Sequence, residues 1–136
     1  MRVDDILSRA VAGERRWLAR AITHIELRTP GVGEALDRLQ VRRRSGPGAP
    51  HVIGVTGPPG AGKSTLVDRL VQAGRAADHR VAVVAVDPSS PFTGGAILGD
   101  RVRMERHTGD DGVYIRSLSS RGHLGGLSTA ATDVVD

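Results

Sequence analysis

A segment near the middle of the chain combines glycines, a lysine and a hydroxyl group in a spacing suited to holding phosphate. Gly57, Gly62, Lys63 and Ser64 match the pattern G-x-x-x-x-G-K-[ST] of a P-loop. Glycine lets the backbone curl with its N–H groups pointing inward, and the N-terminus of a following helix attracts an anion. The pattern therefore predicts that Lys63 reaches the β- and γ-phosphates of a nucleoside triphosphate and that the Ser64 hydroxyl ligates Mg²⁺. The full set that we assign to nucleotide binding is Gly57, Gly60, Ala61, Gly62, Lys63, Ser64 and Thr65.

The pattern of apolar residues predicts the strands and helices that position this loop. A short apolar run predicts a strand over 52–56, and a helix should follow over 63–77, with Leu66, Leu70 and Val71 on one face. The continuous apolar run 81–86 is typical of a strand buried in a parallel sheet, and 113–118 predicts another strand. A Gly-rich turn then leads into a helix start near the end of the chain. We therefore predict an α/β fold of the P-loop NTPase type, with an incomplete parallel sheet flanked by helices.

The first 45 residues predict a helical extension. Helical spacing of apolar residues favours one helix over 3–27, broken by Thr29-Pro30-Gly31, and a second over 33–44. The segment 46–50 is a linker by composition. We thus divide the chain into a helical extension (1–45), a linker (46–50) and a truncated nucleotide-binding domain (51–136).

Two acidic residues are candidates for the metal and for catalysis. Ligands of open parallel sheets bind beyond the carboxyl ends of the strands, and Asp87 follows the strand 81–86 directly. Asp87 either holds Mg²⁺ or orients an attacking water, or it merely caps the turn that follows; its position leaves these alternatives open. Asp100 lies in a Gly-rich stretch that suits a switch ordered by the γ-phosphate. We assign Lys63, Asp87 and Asp100 to catalysis, and Ser64 and Asp87 to the metal.

Composition narrows the function classes. Cysteine is absent, which excludes disulfides and thiol catalysis. No apolar run approaches the roughly 20 residues that span a bilayer, and the acidic N-terminus does not resemble a signal peptide, so we expect a cytoplasmic protein with no membrane association. The net charge of +4 lies in the first 50 residues, but aromatic residues make up only 2%, so we do not expect nucleic-acid binding. Of the 19 basic residues, Lys63 is the only lysine.

Three blocks resemble the methylmalonyl-CoA mutase-associated GTPases of the MeaB/ArgK type. These blocks are VIGVTGPPGAGKSTL (52–66), VAVDPSSPFTGGAILGDRVRM (84–104) and YIRSLSSRGHLGGL (114–127). The resemblance runs from about residue 1 to 128, and its specific part is the middle block. It implies a G-protein chaperone that binds GTP and Mg²⁺, hydrolyses GTP slowly and associates with adenosylcobalamin-dependent methylmalonyl-CoA mutase, which it protects and supplies with cofactor. In that family the acids that match Asp87 and Asp100 belong to the metal and switch region.

The chain also departs from the family pattern. Ser119-Ser120 stands where Ala-Thr is expected, and no later strand supplies a Walker-B-type acid. The guanine-reading motif Asn-Lys-x-Asp is absent, because Lys63 is the only lysine. We therefore expect the N-terminal portion of such a protein, without the family's dimerisation arm and its homodimer.

Two other functions stay open at this point. One is an ATP-binding kinase or ATPase on the same P-loop, and the other is a non-catalytic truncated remnant whose helical segment binds a partner. A sheet with few strands also leaves an unpaired edge and exposed apolar faces, so we expect the isolated chain to be prone to aggregation or only marginally folded.

Overall fold

The computed structural model describes residues 1–43, 50–87, 105–119 and 129–135. Two compact units form, one from Met1–His51 with Ser128–Asp136 and the other from Val52–Leu127. The described elements are α1 (Val3–Val11), α2 (Arg15–Glu26), α3 (Val32–Arg43), α4 (Lys63–Ala76), β1 (Val81–Asp87), a 3₁₀ helix (Glu105–His107), β2 (Val113–Ser119) and α5 (Thr129–Val135). Among the described residues, no helix has the length and apolar character needed to cross a membrane.

The first predicted helix is in fact two helices. The prediction of one helix over 3–27 was wrong because Gly13 adopts φ +92°, a left-handed conformation that a continuous helix cannot contain. The N–H of Gly13 donates to the carbonyl of Ala10 at 3.0 Å, which closes the last turn of α1. α2 then begins at Arg15, and α3 follows close to the predicted second helix.

The helices of the first unit share an apolar core. The buried residues of this core are Ile6, Leu7, Ala21, Ile25, Val32, Ala35 and Ala130. The predicted apolar face of the N-terminal helices accordingly turns inward at Leu7, Ala21 and Ile25. Ala130 belongs to α5, so this last helix contributes to the core of the helical unit. The predicted boundaries of the linker and the domains stay a prediction, since residues 44–49 lie outside the described ranges.

The second unit contains the parallel strand pair that the sequence predicts. β1 and β2 run parallel in a register that pairs Val81 with Val113 and Asp87 with Ser119. Val113 and Leu118 of β2 are almost completely buried. The run 81–86, which was predicted to be buried on both faces, is instead half-buried, and Ala82 is exposed. Helices together with a parallel pair confirm the α/β class.

Two details of this unit differ from the prediction. The segment 52–56 is not a strand: Val52 and Ile53 are 65% and 69% exposed, and over the described residues the sheet consists of β1 and β2 alone. A strand is held by ladder hydrogen bonds to a neighbouring strand, and the part of the chain that the structure describes provides none for this segment. On α4, Val71 is buried as predicted, whereas Leu66 and Leu70 are 51% and 40% exposed.

Candidate nucleotide site

The P-loop has the backbone conformation that its glycines make possible. Gly60 and Gly62 adopt φ values of +77° and +92°, which L-residues rarely adopt. The N–H of Ala61 donates to the carbonyl of Pro58 at 3.3 Å, so the tip of the loop is a tight turn. Pro58 has no N–H of its own, and the donors available to a phosphate therefore come from the second half of the loop.

Lys63 folds back over this loop. Its Nζ donates to the carbonyl oxygens of Gly57 at 2.6 Å and Pro58 at 2.8 Å. An ammonium group has three donors and no acceptor, so both contacts are charge-assisted hydrogen bonds that a phosphate oxygen can replace. The side chain thus lies at the loop, where the predicted phosphate contact requires it.

The loop runs directly into the N-terminus of α4. Gly62 caps the helix, and the N–H of Leu66 donates to the Gly62 carbonyl at 3.0 Å as the first bond of the helix. The N–H groups that precede Leu66 belong to the end of the helix that carries partial positive charge. Ser64 and Thr65 occupy this first turn, and Ser64 is half-buried. This arrangement suits a bound phosphate chain with Mg²⁺ on the Ser64 hydroxyl.

The structure describes only one of the two predicted acidic residues. Asp87 is the last residue of β1, at the carboxyl end of the strand pair, and its backbone is in register with Ser119 of β2. Asp100 lies outside the described residues. The roles of Asp87 and Asp100 at the metal therefore stay predictions.

The described residues do not form a metal site by themselves. Over the ranges given above, no group of three His, Asp or Glu side chains is placed to hold a metal ion. Mg²⁺ in P-loop proteins needs no such cluster, because it keeps several waters and is bound through one or two side chains and the phosphates. A single hydroxyl ligand such as Ser64 is compatible with this kind of site, and its role at the metal stays a prediction.

Sequence reasoning missed a buried charged cluster on the same helix. Asp68 of α4 accepts hydrogen bonds at Oδ1 from His107 Nε2 (2.7 Å) and at Oδ2 from Gln72 Nε2 (3.2 Å), and Arg106 Nη1 lies 3.2 Å from Oδ2. The side chains of Asp68 and His107 are each only 8% exposed. One signal was present in the sequence, since Asp68 precedes the buried Val71 by three positions and so shares its helix face.

Comparisons with known proteins bear on the identity of the chain. The family model described as methylmalonyl-CoA mutase-associated GTPase MeaB matches residues 18–136. A protein of Pyrococcus horikoshii that is provisionally named a GTPase is 47% identical over 98% of this chain and 41% of its own length. The GTPase ArgK of Escherichia coli is 41% identical over 96% of this chain and 40% of its own length. The mouse methylmalonic aciduria type A homolog, a mitochondrial protein, is 36% identical over 98% of this chain and 34% of its own length.

The chain thus spans about two fifths of the length of the curated relatives that it matches. The family match covers most of the sequence, including the P-loop, α4, both strands and the last helix. The described geometry agrees with an incomplete P-loop fold of the α/β class. On this evidence the chain belongs to the family of methylmalonyl-CoA mutase-associated GTPases named after MeaB.

Proposed function

We propose that this chain forms the phosphate-binding part of a slow GTPase that acts as a chaperone and cofactor-loading partner of adenosylcobalamin-dependent methylmalonyl-CoA mutase. The observation that supports this proposal most strongly is the placement of Lys63. Its ammonium group lies over the P-loop, 2.6 Å and 2.8 Å from two loop carbonyls, at the first residue of α4. The names of the matched family and of the mouse relative support the association with the mutase.

Each group of the site has a distinct part in this proposal. The loop around Gly60 and Gly62 and the first turn of α4 offer backbone N–H groups to the phosphates, and Lys63 exchanges its loop carbonyls for phosphate oxygens. The Ser64 hydroxyl ligates Mg²⁺. Asp87, at the carboxyl end of β1, is proposed to hold the metal through water.

The preference for guanine is proposed from family membership. The Asn-Lys-x-Asp motif that reads guanine does not occur in this sequence, whose only lysine is Lys63. We therefore expect this chain to bind phosphates and Mg²⁺ firmly and to discriminate weakly between GTP and ATP.

Binding of fluorescent GTP and ATP analogues in the presence of Mg²⁺ tests the phosphate site. Charge-assisted hydrogen bonds contribute about 1.5–3 kcal/mol each, so Lys63→Ala should weaken binding at least about tenfold. Lys63→Arg should weaken nucleotide binding as well, because a planar guanidinium does not replace a slim ammonium between two carbonyls. Arg69→Ala, an exposed cation on the same helix, is the matched control and should bind as the wild type does. Equal binding by wild type and Lys63→Ala would overturn the phosphate site.

The two acids need a separate experiment. If Asp87 and Asp100 act through the metal, Asp87→Ala and Asp100→Ala should reduce Mg²⁺-dependent affinity and turnover but leave Mg²⁺-free binding unchanged. Unchanged Mg²⁺ dependence in both variants would contradict this part of the proposal.

Association with the mutase is tested directly with the purified enzyme. Titration calorimetry of this chain against adenosylcobalamin-dependent methylmalonyl-CoA mutase, with GTP and then with GDP, should give binding whose affinity differs between the two nucleotides. Absence of binding with either nucleotide would separate the phosphate site, which can still stand, from the chaperone role, which would not.

A further inference from the structure

The phosphate contacts of the P-loop do not explain why Asp68 and His107 form a buried charged pair. Among the described residues these are the buried polar or charged side chains. A carboxylate taken out of water is tolerated only when its oxygens are hydrogen-bonded and its charge is balanced. Asp68 meets this condition through His107 and Gln72, and through Arg106, whose guanidinium lies 3.2 Å away.

This cluster joins the P-loop helix to the chain that leads into β2. Asp68 lies five positions after Lys63 on the same helix, so a rigid α4 carries both the phosphate contacts and this carboxylate. His107 ends the 3₁₀ helix, and its carbonyl accepts the N–H of Asp110 at 3.1 Å. The Asp110 carbonyl in turn accepts the N–H of Val113, the first residue of β2, at 3.1 Å.

A second ion pair ties the far end of α4 to the same segment. Arg75, in the last turn of α4, donates from Nε to Asp110 Oδ2 at 2.8 Å. The segment 105–112 therefore holds α4 at two points, one buried and near the phosphate end, the other half-exposed and distant from it. The buried point acts on the N-terminal half of α4, which carries Lys63 and Ser64, and the distal point acts on its C-terminal end.

We propose that Asp68 and His107 are positioning residues for nucleotide binding, which hold the N-terminus of α4, with Lys63 and Ser64, in the orientation that grips phosphate. This inference rests on the proposed nucleotide site. Neither side chain of the pair is proposed to contact nucleotide, metal or water. The pair acts through the orientation of the helix. The Arg75–Asp110 pair contributes to the fold but not to this orientation.

Matched variants distinguish positioning from stability. His107→Leu removes the donor to Asp68 and should lower Mg²⁺-dependent affinity for a fluorescent GTP analogue about fivefold or more, measured at equal folded fraction. His107→Gln keeps an N–H donor and should restore most of the lost affinity. Asp110→Asn destabilises the distal point and should leave affinity per folded molecule unchanged. Wild-type affinity in His107→Leu, or an equal loss in Asp110→Asn, would overturn the inference.

A measurement on the unaltered chain covers the case in which His107→Leu does not fold. Hydrogen exchange with and without the GTP analogue should show added protection in the peptide 105–112, because positioning is reciprocal. The peptide 15–26 of the helical unit serves as the reference and should show no change. Nucleotide binding without added protection at 105–112 would overturn the inference alone, while a wild-type chain that binds no nucleotide would overturn the proposed function together with it.

Discussion

At the P-loop a single ammonium group is held by the backbone of the loop that it serves. Lys63 Nζ lies within hydrogen-bond distance of the Gly57 and Pro58 carbonyls, so its charge is solvated by the loop itself. A phosphate must compete with these two carbonyls, but it brings a full negative charge and shorter, stronger hydrogen bonds. The chain otherwise uses arginine for its cations, which agrees with a demand for lysine at this one position.

Acid should weaken the fold through Asp110. The hydrogen bond from Arg75 lowers the pKa of Asp110 below its usual value, and the N–H of Gly112, 2.8 Å from Oδ1, lowers it further. Because the folded-state pKa is depressed, this contribution to stability is present above the unfolded pKa of about 3.9 and is lost as pH falls through the folded-state pKa. The same contact raises the pKa of Arg75, which therefore stays charged throughout this range.

We accordingly expect Asp110→Asn to be less stable than wild type near neutral pH and equally stable in strong acid. Urea unfolding followed at a series of pH values measures the difference between the two proteins. Asp37→Asn, an exposed carboxylate on α3, is the control and should track the wild type at every pH. A constant difference between Asp110→Asn and wild type across the acid range would show that the ion pair is not the cause.

At the scale of elements, an apolar run was sufficient to predict the strand 81–86 but not its burial, since these residues are half-buried and Ala82 is exposed. The run 81–86 is apolar at every position, and β1 covers it. The helix after the P-loop also forms as predicted, but its buried face was harder to predict. Asp68 is buried and Leu66 is exposed. Helical spacing places Asp68 on the face of Val71, but it does not show that His107, 39 positions away, balances the buried carboxylate.

The predictions of two other elements were wrong, for different physical reasons. The helix over 3–27 was predicted from apolar spacing, which stays in phase across a single glycine, whereas the left-handed φ of Gly13 ends the helix. The segment 52–56 has the composition of a strand, yet a strand also needs a neighbour to receive its hydrogen bonds. Of the candidate site, the loop and Lys63 could be predicted from one motif, while the Asp68 cluster depends on tertiary contacts.

The contact between α4 and β1 depends on the absence of a side chain at Gly74. A Cβ at this position would lie 2.9 Å from Val81 Cγ2, closer than real Cβ contacts allow. Alanine favours a helix over glycine by about 0.5–1 kcal/mol, but valine is stiff at χ1 and cannot easily move aside. We expect the steric overlap with Val81 to outweigh the gain in helix propensity, so Gly74→Ala should lower the free energy of unfolding by about 1 kcal/mol.

A double-mutant cycle measured by urea unfolding checks this cause. Val81→Ala removes the methyl group that Gly74→Ala would strike, so the double variant should lose less than the sum of the two single losses. Strict additivity, or a stabilised Gly74→Ala, would show that β1 shifts to accept the extra carbon.

At the scale of the whole molecule, both compact units expose large apolar side chains, and in the helical unit these are Met1, Val11 and Leu27. The unit 52–127 exposes Val52, Ile53, Leu66 and Leu70, each by 40% or more. Its described sheet has only two strands, and single parallel pairs offer unpaired backbone groups at both edges. Together these features agree with the expectation that the isolated chain associates with itself.

Ile53→Lys should therefore reduce self-association more than the same change at a comparable site elsewhere. A lysine at position 53 places a charge on an exposed segment outside the described sheet, where charge opposes pairing with another chain. Val11→Lys is the matched control, because Val11 is 70% exposed against 69% for Ile53 but lies at the end of α1 in the helical unit. Light scattering at rising protein concentration should show smaller assemblies for Ile53→Lys and wild-type behaviour for Val11→Lys. Equal effects of the two lysines would assign the association to net charge, and a wild-type chain that stays monomeric would show that these apolar side chains do not drive it.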